Sequence, residues 1–220
     1  MKLDLHIHSK FSRDGAATIE EILERCRSSG LDGCAVTDHN SIEGSLRAFD
    51  LASSFGLLAV RGTEISTAEG HVLAYGLSST VPRGLSIDKT IEHIHAAGGI
   101  AVAAHPRRFP SGMGIRRASQ NRFDAIEALN GGSPRGSNKA ASRMAERRGL
   151  PSVGGSDAHK PEEIGRAFTA IPDVRSEEDA VKAILANRST VGGRSRNVKE
   201  TIVYAIETNQ EWIRGGFRRM

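Results

Sequence analysis

The chain has 220 residues, 38% hydrophobic and 25% charged, which is enough apolar content for a packed core and excludes a disordered polar chain. No apolar run reaches the roughly 18–20 residues that cross a bilayer, and the first residues lack a signal peptide's apolar stretch; one soluble, cytoplasmic domain over 1–220 with no membrane partner is expected. A net charge of +4 suits an anionic partner but does not by itself mark a nucleic-acid binder.

Residues 3–7 read as a strand. Residues 19–28 read as a helix with Ile19, Ile22, Leu23 and Cys26 on one face, started by Thr18 with Glu20 and Glu21 behind it. GCAVT at 33–37 is a second strand and 42–54 a second helix. Residues 57–65 and 71–77 are further strands joined by a turn at 68–70. A helix over 87–97 stops at Gly98-Gly99, where glycine takes the left-handed position. Strands at 100–104 and 123–129 flank 107–120, a loop rich in Arg, Ser, Gly and Pro. A helix at 138–148, strands at 151–155 and 168–171, and helices at 177–187 and 198–213 complete the chain. Cys26 and Cys34 sit in apolar-periodic segments and read as buried thiols of a reducing compartment. Strand–helix alternation predicts an α/β fold with largely parallel strands. About seven such units suit a barrel-like closure better than an open sheet.

Six of the eight histidines fall at a predicted strand end or start. His6 and His8 close the first strand in LDLHIHS, and alternate residues of a strand face the same side. His39 follows the second strand, Glu64 lies in the third, His71 opens the next and His105 ends another. Asp157 and His159 close a late strand, and Asp14 follows the first. Parallel strands deliver such positions to their carboxyl ends, so the nine groups are expected to converge on one face. Imidazole with carboxylate suits zinc, manganese or iron. More than four ligands implies more than one metal, and Glu64 is placed to bridge two cations. His93 and His95 lie two apart inside a helix, cannot share a face, and read as structural.

HIHS with a following Asp, TDH, the Glu of GTEIS, AHP and SDAH, in that order from Leu3 to about Val191, resemble the PHP family, named for its polymerase and histidinol-phosphatase members. The resemblance implies a distorted (βα)7 TIM-like barrel and a site of two or three divalent metals. It assigns His6, His8, Glu64 and Asp157 to one metal, Glu64 and His105 to a second, and Asp14, His39 and His159 to a third. Where family members often place Cys or His for the second metal, this chain has Asn130. His71 is either a ligand or phosphate partner, or a plain strand-start histidine. Asp38 either orients a ligand or caps a turn. Arg107 and Arg108 either grip phosphate in a bidentate fork or are solvated, and Lys10 and Arg13 are weaker candidates for the same task.

The implied activity is hydrolysis of phosphoesters by metal-activated hydroxide. Glu64, Asp157, Arg107 and Arg108 are the catalytic candidates. No G-x-S-x-G or G-x-x-x-x-G-K-[ST] segment offers another route. Only residues 107–122 lie between the AHP strand and the next, so the site is expected to be open. A small phosphomonoester or nucleotide is the favoured substrate; a 5′-end exonuclease and a non-catalytic scaffold are the rivals.

Overall fold

The computed structural model describes residues 1–203. The first apolar run becomes β1 (Lys2–Ile7), buried from Leu3 onward, as a central strand must be. It pairs in parallel with β2 (Gly33–Val36), which pairs in parallel with β3 (Leu58–Ala59). On its other side lie β9 (Ala167–Ala170) and β10 (Thr190–Gly193), both antiparallel, giving the order β10-β9-β1-β2-β3. A second sheet holds β4 (Gly62–Ser66), β5 (His71–Tyr75), β6 (Ile100–Ala103), β7 (Ala125–Asn130) and β8 (Ser152–Gly155) in sequence order. There β5 is antiparallel to both neighbours, while β6, β7 and β8 are parallel.

The sheets face each other across a shared apolar interior. Leu3, Leu5 and Val60 meet Leu73, Tyr75, Val102 and Val153 there, and the Tyr75 hydroxyl donates to the Leu5 carbonyl at 2.7 Å. Helix α6 (Glu177–Leu185) packs Ala180, Ala183 and Ile184 into the same interior, near Leu3, Ile100 and Ala125 at the strand starts. Helices α1 (Ile19–Ser28) and α2 (Glu43–Ala52) cover one outer face. Helices α3 (Ile87–Ala96) and α5 (Arg135–Arg148) cover another, along with α4 (Ile115–Gln120). Thr18 starts α1 with a reciprocal capping box to Glu21. No helix among the described residues is long and apolar enough to cross a membrane.

Several expectations change. Residues 57–65 are two strands in different sheets, because Arg61 turns away: its backbone N–H donates to Glu177 Oε1 and its guanidinium to Glu177 Oε2, each at 2.6 Å. The loop expected over 107–120 contains α4, anchored by buried Ala118. Strand β10 was not foreseen; its TVGG carries little alternation and lies at a sheet edge. The last expected helix begins at 198, and residues 204–213 lie outside the described residues.

The closed (βα)7 barrel is also corrected, to a mixed α/β fold of two sheets. Antiparallel pairings at β5, β9 and β10 break the parallel pattern, and no continuous ladder encircles the interior. The sheets touch at two seams instead. Along one, the Asp157 N–H donates to the His6 carbonyl at 2.7 Å and the His8 N–H to the Ala158 carbonyl at 2.9 Å. Along the other, His39 bridges Glu64, and the Asn40 N–H donates to the Glu64 carbonyl at 2.9 Å.

The first seam depends on a missing side chain. A Cβ on Gly155 would lie 2.4 Å from His6 Cβ and 2.5 Å from His6 N, so only glycine lets β8 come this near β1. Gly155→Ala is expected to lower stability by at least about 1–3 kcal/mol through overpacking. Chemical denaturation checks this; an unchanged midpoint would mean the seam can open at no cost.

Candidate metal centre

The seams gather the chemistry at one end of the molecule. His6 and His8 leave β1 on the same side, with their Nε2 atoms 3.2 Å apart. His39 follows β2, Glu64 lies within β4, and His105 follows β6. Because β5 runs antiparallel, its first residue, His71, lies at the same end as the last residues of its neighbours. Asp157 and His159 follow β8, placed by the hydrogen bonds of the first seam. Two backbones are held off the ordinary basins: His105 has φ +26° and Asp157 +55°. Such strain persists only where surrounding contacts impose it, and here both residues carry cluster groups.

Glu64 is the hub, with a side chain 1% exposed. Its Oε1 lies 2.8 Å from His105 Nε2 and 3.0 Å from His71 Nδ1. Its Oε2 lies 3.3 Å from His6 Nε2, 3.2 Å from His8 Nε2 and 3.3 Å from His39 Nδ1. Asp157 Oδ1 completes the inner set, 3.5 Å from His6 Nε2 and 3.4 Å from His8 Nε2. Asp14 Oδ2 lies 3.2 Å from His159 Nε2 and 3.4 Å from His39 Nε2, nearer to solvent. All nine expected groups are therefore brought together. They sort into four overlapping sets: His8, Asp14, His39 and His159; His6, Glu64 and His105; His6, His8 and Asp157; and His39, Glu64 and His71.

The basic candidates divide. The Arg108 guanidinium donates to Asp157 Oδ2. Arg107 is exposed and meets the neighbourhood through its carbonyl, which accepts from Ser137 Oγ at 3.3 Å. Lys10 and Arg13 are also exposed. Asp38 touches no cluster imidazole within hydrogen-bond distance. It takes the Ser9 backbone N–H and hydroxyl, each at 2.7 Å, and so shapes the loop after His8. His95 makes a partly exposed pair with Asp124 at 2.8 Å, and His93 is exposed, away from the cluster.

Sequence reasoning missed Glu127. Its Oε1 is 2.9 Å from His6 Nδ1, and its Oε2 accepts the His105 N–H at 2.7 Å. It orients two cluster histidines at once. The signal was present: an acid in the otherwise apolar AIEAL of β7. Asn130 turns its Nδ2 to Glu127 and to Asp157 Oδ2 at 3.1 Å, leaving its Oδ1 buried without a hydrogen-bond partner.

These contacts fix charge. Burial pushes His8 down to about 3, aided by neighbouring His159, and pushes His105 down to about 4. Burial would lower His6 too, but Glu127 and Glu64 outweigh it and hold His6 up near 10. Glu64 stays well below the usual carboxylate range: burial opposes this, and His71, His39 and His6 overcome it. Neutral His8 and His105 are in the form that ligates metal. The His39 Nδ1 atom is buried and faces Glu64 without hydrogen-bond geometry. The orphaned His39 Nδ1 and the imidazoles and carboxylates gathered here are the donor types that divalent metals take, so the residues present fit them.

A model of the PHP domain matches residues 4–133, and one described as PHP-associated matches residues 135–189. The chain belongs to the PHP family. The cluster draws on both matched segments, Asp157 and His159 coming from the second. The chain is 40% identical over 116 residues to an uncharacterized protein of Methanocaldococcus jannaschii, covering 48% of this chain and 68% of that one. It is 32% identical over 100 residues to a phosphoribosyl 1,2-cyclic phosphate 1,2-diphosphodiesterase of Eggerthella lenta, covering 42% of this chain but 38% of that enzyme. In fold it is similar to a two-domain protein of Bacteroides vulgatus containing a predicted PHP-like metal-dependent phosphoesterase, with a TM-score of 0.69 and 23% identity over 88% of this chain and 65% of that one.

Metal-free PHP protein should be most stable near neutral pH. His8 and His105 have lowered values, so the unfolded chain binds more protons below about 6.5; their stabilisation fades as pH falls toward about 3–4. His6 is raised, so its contribution is complete below about 6.5 and fades as pH rises through about 10. His105 alone should account for roughly 3 kcal/mol of the acidic limb. Denaturation across pH checks both limbs, and ring-nitrogen NMR at pH about 8 should find His6 protonated and His8 neutral.

Proposed function

We propose that this PHP protein is a phosphoesterase working with two or three divalent cations, zinc, manganese or iron, on a small phosphomonoester or nucleotide. The observation that carries this reading is the convergence of five imidazoles on the two oxygens of buried Glu64, with Asp157 beside two of those imidazoles. His6, His8, Glu64 and Asp157 would hold one cation, with Glu64 and His105 at a second. Asn130, its Nδ2 spent on Glu127 and Asp157, would leave the rest of that second site to water and substrate. Asp14, His39 and His159 would hold a third, and His71 stands on Glu64 as a further ligand.

Bound cations supply Lewis acidity toward the phosphoryl oxygens and ionise water near neutral pH. The chain's own groups then divide the remaining work. Glu127 fixes the His6 and His105 rings. Asp157 presents Oδ1 to His6 and His8 while Arg108 and Asn130 hold its Oδ2. From that position Arg108 reaches a phosphoryl oxygen and balances its charge. Buried, unbridged Cys26 and Cys34 accord with a reducing cytoplasmic setting.

Reconstituted protein should contain two or three cations, and chelation should abolish hydrolysis. Activity should rise from pH ~5 to a plateau near ~7–9, and added metal should restore part of the acidic limb, since imidazoles must be neutral to ligate. Glu64→Gln should remove several orders of magnitude of kcat. Arg108→Ala should lower kcat/KM about ten- to a hundredfold. Full turnover after proven removal of metal would favour the scaffold reading instead.

A further inference from the structure

The segment after His105 carries a feature that the metal cluster does not use. Phe109 is 93% exposed, more than any other large apolar side chain among the described residues. It sits at the tip of a loop tied down at both ends beside the cluster. At one end the Arg108 N–H donates to the His105 carbonyl at 2.8 Å, closing a turn on a cluster histidine. At the other end Met113 packs against Gly70, where a Cβ would come within 2.6 Å of the Met113 nitrogen; Gly70 directly precedes His71. Within the loop, the Gly114 N–H donates to the Pro106 carbonyl at 2.8 Å and the Gly112 N–H to the Arg108 carbonyl at 2.6 Å. The turn keeps the Phe109 Cα within about 11 Å of the His105 Cα.

The charge of the loop's own sequence is one-sided. Residues 106–120 contain Arg107, Arg108, Arg116 and Arg117 and no acid. Arg116 and Arg117 line a cavity of about 320 Å³ with Met113, Gly114 and Gln120. An exposed aromatic ring on a tethered backbone, close to the candidate metal centre and on an arginine-rich loop, matches a ligand with a phosphate at one end and a flat ring at the other. A sugar phosphate has no flat π-face to stack on the ring.

We propose that Phe109 is a stacking platform for the nucleobase of the substrate, so that the site selects nucleotide-type phosphoesters. This rests on the phosphoesterase reading above, and the base comes either from a free nucleotide or from the phosphorylated end of a strand.

The test uses full-length, metal-reconstituted protein and measures binding apart from turnover. In Phe109→Trp, fluorescence is read as the difference from the parent, which has one tryptophan. Adenosine 5′-monophosphate and a 5′-phosphorylated oligonucleotide should quench the new indole; ribose 5-phosphate should not. Phe109→Ala should weaken nucleotide binding about tenfold or more, and the preference for nucleotide over ribose 5-phosphate should fall by the same factor. Tighter binding of the oligonucleotide assigns a strand end, and equal binding assigns a free nucleotide. The proposal is overturned if nucleotide and ribose 5-phosphate bind alike in both parent and Phe109→Ala, or if the indole responds only to vesicles of equimolar phosphatidylglycerol and phosphatidylcholine. Absence of hydrolysis on every phosphoester would defeat the phosphoesterase reading, while the binding measurements would still decide the role of Phe109.

Discussion

A carboxylate sealed from water is tolerable only when its charge is answered on every side, and Glu64 has that condition imposed from five directions. Its neighbours come from β1 and the segments after β1, β2 and β6, and from the first residue of β5. Satisfying one acid therefore requires both sheets to arrive together. The seams, the strained backbones at His105 and Asp157, and the glycine contact at Gly155 all serve that arrival. Glu127 repeats the pattern one step further out, tying β7 to His6 and His105.

Much of this was legible in the chain because strand ends and histidines carry strong signals together. H-x-H on a strand, a histidine just beyond a strand and an acid within one have fixed directions once the strands are placed. Glu127 was missed because a lone acid in an apolar strand reads as an outward residue unless the strand is known to be covered on both sides. Arg107 and Arg108 look equivalent in sequence, but only the second guanidinium turns toward Asp157. That choice is made by the turn that Arg108 closes on His105, a matter of tertiary contact.

The fold was read less completely than the site, for related reasons. Hydrophobic periodicity does not report strand direction, so the antiparallel β5 looked like one more parallel unit. The break between β3 and β4 is set by a distant partner, Glu177 on α6, which no local window contains. Short glycine-rich β10 carries no alternation to read.

With metals held as proposed, the two-seam architecture would also make metal uptake and the mutual seating of the sheets a single linked equilibrium. A cation held as proposed by His6 and His8 from one sheet and by Glu64 from the other would work as a clasp across the gap between them. Whatever free energy it gains on binding is shared with closure, and whatever loosens closure is subtracted from its affinity. Residues outside the cluster, Arg61 and Glu177 among them, would thereby become determinants of how tightly metal is held. Amide hydrogens along the seams should exchange at rates that track metal occupancy, while those inside each five-stranded ladder report the stability of the fold itself.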